Sequence, residues 1–231
     1  MSAIRVVIKG SVTPAAETRP APVDRARRWQ SPYEGGQLHG WPAIFLSQAA
    51  YRQIRDHTHS DVRHEVGGML VGHHLQTPEG RSYIIVEAAM PAYHVRHSSA
   101  HLTFTTATLN DLLNRLGEQH PDQQIVGWYH THPGLSIFMS SMDVWLHRHF
   151  FSEPWHVALV IDPLAEQAGF FRYRDGGNDY LHPERYVGFY EVLDEGAGSV
   201  IAWRNLFPDK QNKIGALEGA EDRAEGLNNE S

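Results

Sequence analysis

The chain has 231 residues, of which 41% are hydrophobic and 20% charged, with a net charge of −7 and no cysteine. This composition is typical of a globular protein, and the length suits one domain with extensions or two small domains. The negative charge argues against a general nucleic-acid binder. The lack of cysteine excludes disulfides, thiolate nucleophiles and cysteine-ligated zinc, so any zinc site must use histidine and carboxylates.

The N-terminal part of the sequence shows little periodicity. Residues 4–8 read IRVVI and predict a short strand, while residues 10–40 are rich in Pro, Arg, Gly and Ala, which is typical of a linker or a loosely packed arm. The first apolar run is too short for a signal peptide, and no stretch of 18 apolar residues follows. We therefore expect a cytoplasmic protein with an N-terminal extension over residues 1–40.

Regular structure is predicted from about Trp41 onward. Ser47 is a candidate N-cap for a helix over about residues 48–57, and Thr106 or Thr108 is a candidate N-cap for a second, leucine-rich helix. A third helix is predicted in DVWLHRHFF, residues 143–151. Residues 91–101 form a polar loop. Apolar runs predict strands in AIFL, VGGMLVG, SYIIVEAAM, QQIVGWYH, WHVALVIDP, AGFFRYR and ERYVGFYEVL.

Together these elements predict one α/β or α+β domain over residues 41–193. Its core is expected to be a central mixed β-sheet of about six strands, flanked by helices. From Asp194 onward Glu, Gly, Asn and Ala dominate, so residues 194–231 are predicted to be a flexible tail. Within it, VIAWRNLF at residues 200–207 is apolar enough to dock on another surface.

The tripeptide His-Thr-His occurs twice. The copy at residues 130–132 ends a predicted strand, where residues i and i+2 face the same side, so both imidazoles can reach one ion. The copy at residues 57–59 ends a predicted helix, where i and i+2 diverge by about 200°. We interpret that second pair as a solvated helix terminus, a position that suits protonated histidine.

Residues near the first copy strengthen its interpretation as a metal site. Asp143 offers an oxygen ligand that completes a His₂Asp set, and a catalytic zinc typically keeps three protein ligands and one position for water. Ser140 and Asp143 also match a Ser-x-x-Asp capping box. This structural interpretation is compatible with a metal site. Glu65 precedes a buried strand and is, from spacing alone, either a surface carboxylate or a general base.

The segments EVGGMLVG, VGWYHTHPGLSIFMSSMD and ALVIDP resemble the JAMM (MPN+) metalloprotease family. Its motif is an upstream Glu, then His-x-His-Pro, six residues, and Ser-x-x-Asp. The resemblance covers about residues 42–193 and implies an MPN-like, cytidine deaminase-like fold with one Zn²⁺ per chain. It implies that the metal ligands are His130, His132 and Asp143, and that the catalytic residues are Glu65 and Ser140.

The resemblance also implies the substrate class. Similar family members remove ubiquitin or ubiquitin-like proteins, so the expected partner is a ubiquitin-like protein or its conjugates, with neither nucleic acid nor membrane. The candidate substrate contacts are the loop from Ala92 to His101 and Trp128, which shares the ligand face of its strand. The chain looks more like bacterial members, which often lie in operons with activating and conjugating enzymes, including antiphage systems, so we expect such an operon here. Two alternatives stay open: a processing peptidase for a sulfur-carrier-type ubiquitin-like protein, and a non-catalytic scaffold.

Overall fold

The structure is a computed structural model that describes residues 16–33, 42–93, 96–98, 101–173 and 182–209. The strand predicted at residues 4–8 and the end of the predicted tail lie outside these ranges. For the short segments 96–98 and 101–103, only the backbone is described.

One mixed sheet of ten strands organises the described part of the chain. Its strands are β1 (Glu17–Thr18), β2 (Ala26–Gln30), β3 (Ala43–Ser47), β4 (Gly67–Gln76), β5 (Ser82–Pro91), β8 (Gln124–Thr131), β9 (Val157–Asp162), β10 (Gln167–Arg172), β11 (Phe189–Val192) and β12 (Phe207–Pro208), while β6 (Arg96–Ser98) and β7 (His101–Thr103) form a separate antiparallel ribbon. The strand order is β10-β9-β8-β4-β5-β3-β11-β2-β12, with β1 paired to β4. The predicted mixed sheet is confirmed, but it has more strands than the expected six.

The helices are α1 (Gln48–Ser60), α2 (Thr106–Gln119) and α3 (Ser141–Phe150). The prediction that Ser47 caps α1 is confirmed, since its side chain accepts a hydrogen bond from the Ala50 amide. The predicted cap of α2 is wrong by one residue, because Thr105 is the N-cap and accepts from the Thr108 amide. Among the described residues, no helix is both long and apolar enough to cross a membrane.

Strand β4 lies at the middle of the sheet and is buried on both faces. Met69, Leu70 and Val71 are each at most 2% exposed, which explains the unbroken apolar run in this segment. A Cβ atom on Gly68 would lie 2.2 Å from the Met90 carbonyl oxygen and 2.8 Å from the Tyr129 ring. Only glycine therefore fits between the two neighbouring strands at this position.

The start of β4 and the ends of β8 and β9 meet at one edge of the sheet. Antiparallel pairing of β4 with β8 places Gly67 opposite His130, and parallel pairing of β8 with β9 places His130 beside Val160. The segment before β4 and the segments after β8 and β9 therefore converge. This edge holds the candidate site.

Two segments predicted to be irregular belong to the sheet. Strand β2 pairs with β11 and with β12, so the prediction of a linker is wrong for residues 26–30. The prediction of a flexible tail is wrong for residues 194–209, because Trp203 and Leu206 are buried in the main core. The predicted docking of residues 200–207 thus occurs on the chain's own domain.

Candidate metal centre

Three potential ligand atoms converge at the end of β8. Nε2 of His130 lies 3.1 Å from Nε2 of His132, and Oδ2 of Asp143 lies 3.4 Å from the first nitrogen and 3.6 Å from the second. The two imidazoles come together because i and i+2 on an extended segment face the same side. All three residues are at most 9% exposed. The structure thus brings together the three predicted ligands.

The spacing of these atoms fits a tetrahedral zinc ion. Zn–N and Zn–O bonds are about 2.0–2.1 Å long, so two ligands of a tetrahedral ion lie about 3.3 Å apart. The separations of 3.1, 3.4 and 3.6 Å lie on both sides of that value. Two imidazoles and one carboxylate are also a donor set that a catalytic zinc site uses. The residues present therefore fit the ion that the sequence implies.

The start of α3 places the carboxylate. Ser140 is the N-cap of α3, and its Oγ accepts a hydrogen bond from the Asp143 amide at 3.2 Å, while the Ser140 amide donates to Oδ2 of Asp143 at 2.7 Å. Both halves of the predicted capping box are therefore present. The oxygen that closes the box is also the one that faces the two histidines. The capping box is therefore confirmed, and it is compatible with the predicted role of Asp143 as a ligand.

The Asp143 carboxyl is held in its ionised form. Burial by itself would raise the pKa of Asp143, but the electrostatic interaction with the neighbouring His130 lowers it. Hydrogen bonding with His132 and Ser140 acts in the same direction, and the net effect lowers the pKa of Asp143 well below its ordinary value. An anionic oxygen is therefore available to a cation at neutral pH.

Glu65 lies beside the three ligand atoms rather than among them. Its Oε1 is 4.0 Å from Nε2 of His132, and its side chain is 18% exposed. The group of residues that could hold one ion contains His130, His132 and Asp143 but not Glu65. This placement suits a general base, which must reach a bound water without displacing it.

Trp128 is part of the support under the site, so its predicted contact with substrate is wrong. Its indole is 1% exposed and stacks on the His130 ring at 4.6 Å between centroids. Its Nε1 donates to Nδ1 of His147 on α3 at 3.0 Å. A side chain so deeply buried cannot line a channel, because substrate cannot reach it. Phe138 also lies beside the site, is half-buried, and has its ring 4.7 Å from the His132 ring between centroids.

The segment with the ribbon of β6 and β7 begins in the polar loop predicted at residues 91–101 and continues past its end. Before the ribbon, the Ala92 amide donates to the Gly67 carbonyl at 2.9 Å, and the Ala92 side chain is buried. After it, Phe104 packs edge-on against Trp128 at 6.1 Å between centroids. Both ends of this segment are therefore attached close to the candidate site, although Ala92 itself is not open to a substrate.

The two histidines of the other His-Thr-His copy have separate partners, and one of them is less solvated than expected. Nδ1 of His57 lies 2.8 Å from the Tyr129 hydroxyl, and burial lowers the pKa of His57. His59 is exposed and bonds to the Arg55 carbonyl within its own helix. The prediction of a solvated helix terminus thus holds for His59 and is wrong for His57.

Asp162 is a structural residue of the site that sequence reasoning missed. Its carboxylate accepts hydrogen bonds from the backbone amides of Gly134 and Ser136 and from those of Leu164 and Ala165, at 3.0–3.1 Å. It thereby joins the loop after His132 to the turn after β9. An Asp-Pro pair at the end of a buried strand was the available signal, since such pairs favour turns.

Comparison with known proteins identifies the class of domain. Residues 41–153 match the model of the JAB1/Mov34/MPN/PAD-1 ubiquitin protease family. This range contains β4, β8 and α3, and with them all five candidate site residues. The chain belongs to this JAMM/MPN family.

Several curated proteins are similar over the same part of the chain. The 26S proteasome regulatory subunit RPN11 of Eremothecium gossypii is 31% identical over 138 residues, covering 54% of this chain and 40% of that protein. The ubiquitin carboxyl-terminal hydrolase RPN11 of Saccharomyces cerevisiae is 27% identical over 138 residues, with the same two coverages. The NAD(+) hydrolase TcpA of a Theionarchaea archaeon is 30% identical over 128 residues, covering 55% of this chain and 36% of that protein. The chain spans less than half the length of these relatives.

Proposed function

We propose that the chain is a zinc-dependent isopeptidase or peptidase that cleaves after the C-terminal glycine of a ubiquitin-like modifier. The observation that carries this proposal is the convergence of three ligand atoms within 3.6 Å of one another, with a carboxylate oxygen 4.0 Å from one of them. Membership in the JAMM/MPN family and similarity to a ubiquitin carboxyl-terminal hydrolase support the substrate class. The reaction would release a modifier from its conjugate or mature its precursor.

Each site residue has a separate role in the proposed reaction. His130, His132 and Asp143 hold one Zn²⁺ per chain, which when bound supplies Lewis-acid activation of water and of the scissile carbonyl. Glu65 accepts a proton from the attacking water and returns it to the leaving amine. Ser140 Oγ accepts a hydrogen bond from the Asp143 amide and would donate its own proton to the developing oxyanion.

The ribbon of β6 and β7 is the proposed contact for the modifier's C-terminal tail. Its two strands pair only with each other in the described structure, so an extended peptide can add to an edge as a further strand. The attachments at Ala92 and Phe104 keep the ribbon close to the metal centre. Small residues at the cleavage point are expected to fit best, since Phe138 lies against His132.

The intact residue set favours an enzyme over a non-catalytic scaffold. A scaffold has no need for three converging ligand atoms with a carboxylate beside them. A peptidase that processes a sulfur-carrier-type ubiquitin-like precursor would use the same residues, and it differs from a deconjugating enzyme only in its substrate. Action in the cytoplasm beside activating and conjugating enzymes of an antiphage operon stays a prediction, which the neighbouring genes would test.

The experiment uses modifier fusions with Gly-Gly at the scissile bond, and a second set in which Leu replaces the last Gly. We expect the unaltered protein to carry one zinc and to cleave the Gly-Gly fusions faster. Glu65→Gln should keep zinc and lose turnover on the order of 10²-fold or more, whereas Asp143→Ala should lose both zinc and turnover.

Three outcomes would contradict parts of the proposal. Cleavage by zinc-free protein would refute the metal mechanism, and release of zinc by Glu65→Gln would refute the assigned roles. A zinc-loaded protein that cleaves no fusion of any ubiquitin-like class would favour the scaffold.

A further inference from the structure

The residue between the two histidine ligands binds the segment that carries Glu65. Thr131 is fully buried, and its amide donates to the Val66 carbonyl at 2.9 Å. In the opposite direction, the Val66 amide donates to Oγ1 of Thr131 at 2.9 Å. Val66 directly follows Glu65, so these two bonds hold the backbone beside the Glu65 carboxylate.

The second of these bonds depends on the side chain at position 131. In a regular antiparallel ladder the Val66 amide would donate to a backbone carbonyl, which every residue type provides. Here a hydroxyl oxygen takes that place, one step beyond the pair of Gly67 with His130. The same hydroxyl lies 3.4 Å from the Val66 carbonyl oxygen, to which it can donate. A residue without a hydroxyl would leave a buried amide unsatisfied.

The attachment on the other side of Glu65 is weaker. Asp61 accepts hydrogen bonds from the Arg63 and His64 amides, at 2.9 and 3.1 Å, and so shapes the turn before Glu65. This turn is open to water, with the His64 side chain 56% exposed. Solvent competes for hydrogen bonds there, whereas the bond of Val66 to Thr131 is shielded. Of these two backbone attachments that flank Glu65, the one at Val66 is therefore the firmer.

We propose that Thr131 is a positioning residue that holds the Glu65 carboxylate at the metal centre through its hydroxyl bond to Val66. The inference rests on the proposed role of Glu65 as the base. Thr131 contributes no atom to the group of ligands that could hold the ion. A misplacement of about 1 Å in a catalytic group can lower turnover on the order of 10²-fold, so a single hydroxyl can have a large effect on rate.

The first test measures the bond itself, by amide hydrogen exchange in protein with and without zinc. Thr131→Val keeps the shape of the side chain and removes the hydroxyl, and Thr131→Ser keeps the hydroxyl. We expect exchange at Val66 to rise about tenfold in Thr131→Val relative to Leu70 of the same strand, and to stay near the original rate in Thr131→Ser. Unchanged exchange at Val66 in Thr131→Val would overturn the inference.

The second test measures turnover of a Gly-Gly modifier fusion. We expect Thr131→Val to keep one zinc, to leave KM within about twofold and to lower kcat by 10- to 100-fold, while Thr131→Ser restores kcat. Thr58→Val is the matched control, because the Thr58 hydroxyl is equally buried and bonds within α1 to the Arg55 carbonyl. It should reduce stability without lowering kcat. An equal loss of kcat in this control would indicate a general structural effect and overturn the inference.

A double-mutant cycle separates this inference from the proposed function. If Thr131 acts through Glu65, adding Thr131→Val to Glu65→Gln should cause no further loss of turnover. A further loss similar to that of Thr131→Val alone would overturn the inference and leave the proposed function intact. Full turnover in Glu65→Gln, or no cleavage of any fusion by the unaltered protein, would refute the base itself, and the inference would fall with it.

Discussion

Ser140 and Asp143 lie both at the start of a helix and at the candidate metal centre. The capping box requires the Asp143 carboxylate to bend back toward the Ser140 amide, and this bend also aims Oδ2 at the two histidines. Local chain structure therefore sets the position of this carboxylate oxygen relative to the two histidines. Such preorganisation lets a ligand keep its place at little entropic cost.

Replacing Ser140 with Ala should affect stability and turnover separately. Loss of the cap should lower the free energy of unfolding by about 1 kcal/mol, and loss of the oxyanion donor should lower kcat on the order of 10²-fold. Ser47→Ala is the control, because Ser47 caps α1 in the same way. Ser47→Ala should lower the free energy of unfolding, measured in urea, by a similar amount and leave kcat unchanged. Equal kcat in both variants would contradict a catalytic role for the Ser140 hydroxyl.

Two histidines, the buried His147 and the partly buried His156, should make the protein sensitive to acid. Burial lowers the pKa of His147 to about 3 and that of His156 to about 4, from an ordinary value of 6.5. At a pH between the lowered pKa values and 6.5, the unfolded chain binds more protons than the folded one. The free energy of unfolding therefore falls as the pH drops through this range. Their stabilising effect is fully present above pH 6.5 and is lost progressively toward pH 3–4.

His147→Gln should reduce this acid sensitivity. The glutamine amide oxygen can still accept the indole hydrogen bond of Trp128, but it does not titrate in this range. The free energy of unfolding can be measured in urea with zinc-free protein between pH 6.5 and 4. Its slope against pH should correspond to an uptake on unfolding that is smaller by up to one proton. In the double variant with His156→Gln, the number of protons taken up on unfolding should fall by up to one more. Slopes that match the unaltered protein would show that these two histidines do not control its acid stability.

At the scale of elements, one carboxylate joins two loops at the edge of the sheet. Asp162, at the end of β9, accepts from four backbone amides of the loop after β8 and the turn after β9. Ser136 in that loop has φ of 72°, a left-handed conformation that is unfavourable for a residue other than glycine. The bond from the Ser136 amide to Asp162 helps to hold this conformation. The loop spans the chain between the ligands His132 and Asp143.

Asp162→Ala should therefore loosen the metal centre without touching a ligand. We expect a loss of about 2–3 kcal/mol in the free energy of unfolding, since charge-assisted hydrogen bonds are lost, and faster removal of zinc by a chelator. Asp194→Ala is the control, because its exposed ion pair with Arg52 contributes little. Zinc release at the same rate in both variants would show that this carboxylate does not support the site.

How much of the fold could be predicted differs between local and non-local features. The strands of the core and Ser47 as a cap follow from periodicity and side-chain chemistry within a few residues. Strand β2 does not, because ARRWQ alternates poorly and becomes a strand only through pairing with β11, about 160 residues away. The ribbon of β6 and β7 lies in a polar run with no period of two. Pairing partners decide such segments, and a single sequence does not reveal them.

The candidate site was more predictable than the fold around it. His130, His132 and Asp143 lie within 14 residues, where strand and capping geometry fix their relative positions. The interpretation of Trp128 failed because the sequence gives the face of a strand but not what covers that face. Here Phe104 and α3 cover it. The position of Glu65 and the attachment of Val66 to Thr131 depend on strand pairing, so spacing alone left Glu65 ambiguous.

At the scale of the whole molecule, a buried carboxylate connects the two ends of the described chain. Glu191 on β11 is fully buried, and its two oxygens accept from Nε1 of Trp29, Nε2 of Gln48, Oγ of Ser199 and the amide of Val200, at 2.5–3.0 Å. Strand β2, helix α1 and the C-terminal segment thus meet at one side chain. This explains why the described part of the predicted tail is packed, despite its polar composition.

Glu191→Gln should detach the C-terminal segment and leave the metal centre in place. The glutamine amide group would point a donor at a site built from four donors, so at least one buried bond is lost, which costs about 2 kcal/mol or more. We expect a lower free energy of urea unfolding and faster proteolysis between residues 194 and 209, with zinc content and kcat retained. Glu184→Gln is the control, because Glu184 is exposed and its replacement should change neither stability nor proteolysis.

The C-terminal segment contacts α1 through Trp203 and the turn after β9 through Arg204. This turn lies near Asp162 rather than near the candidate ligands. A loss of zinc together with the segment would therefore contradict this view, and would mean that the packing of the C-terminal segment is transmitted to the metal centre through Asp162.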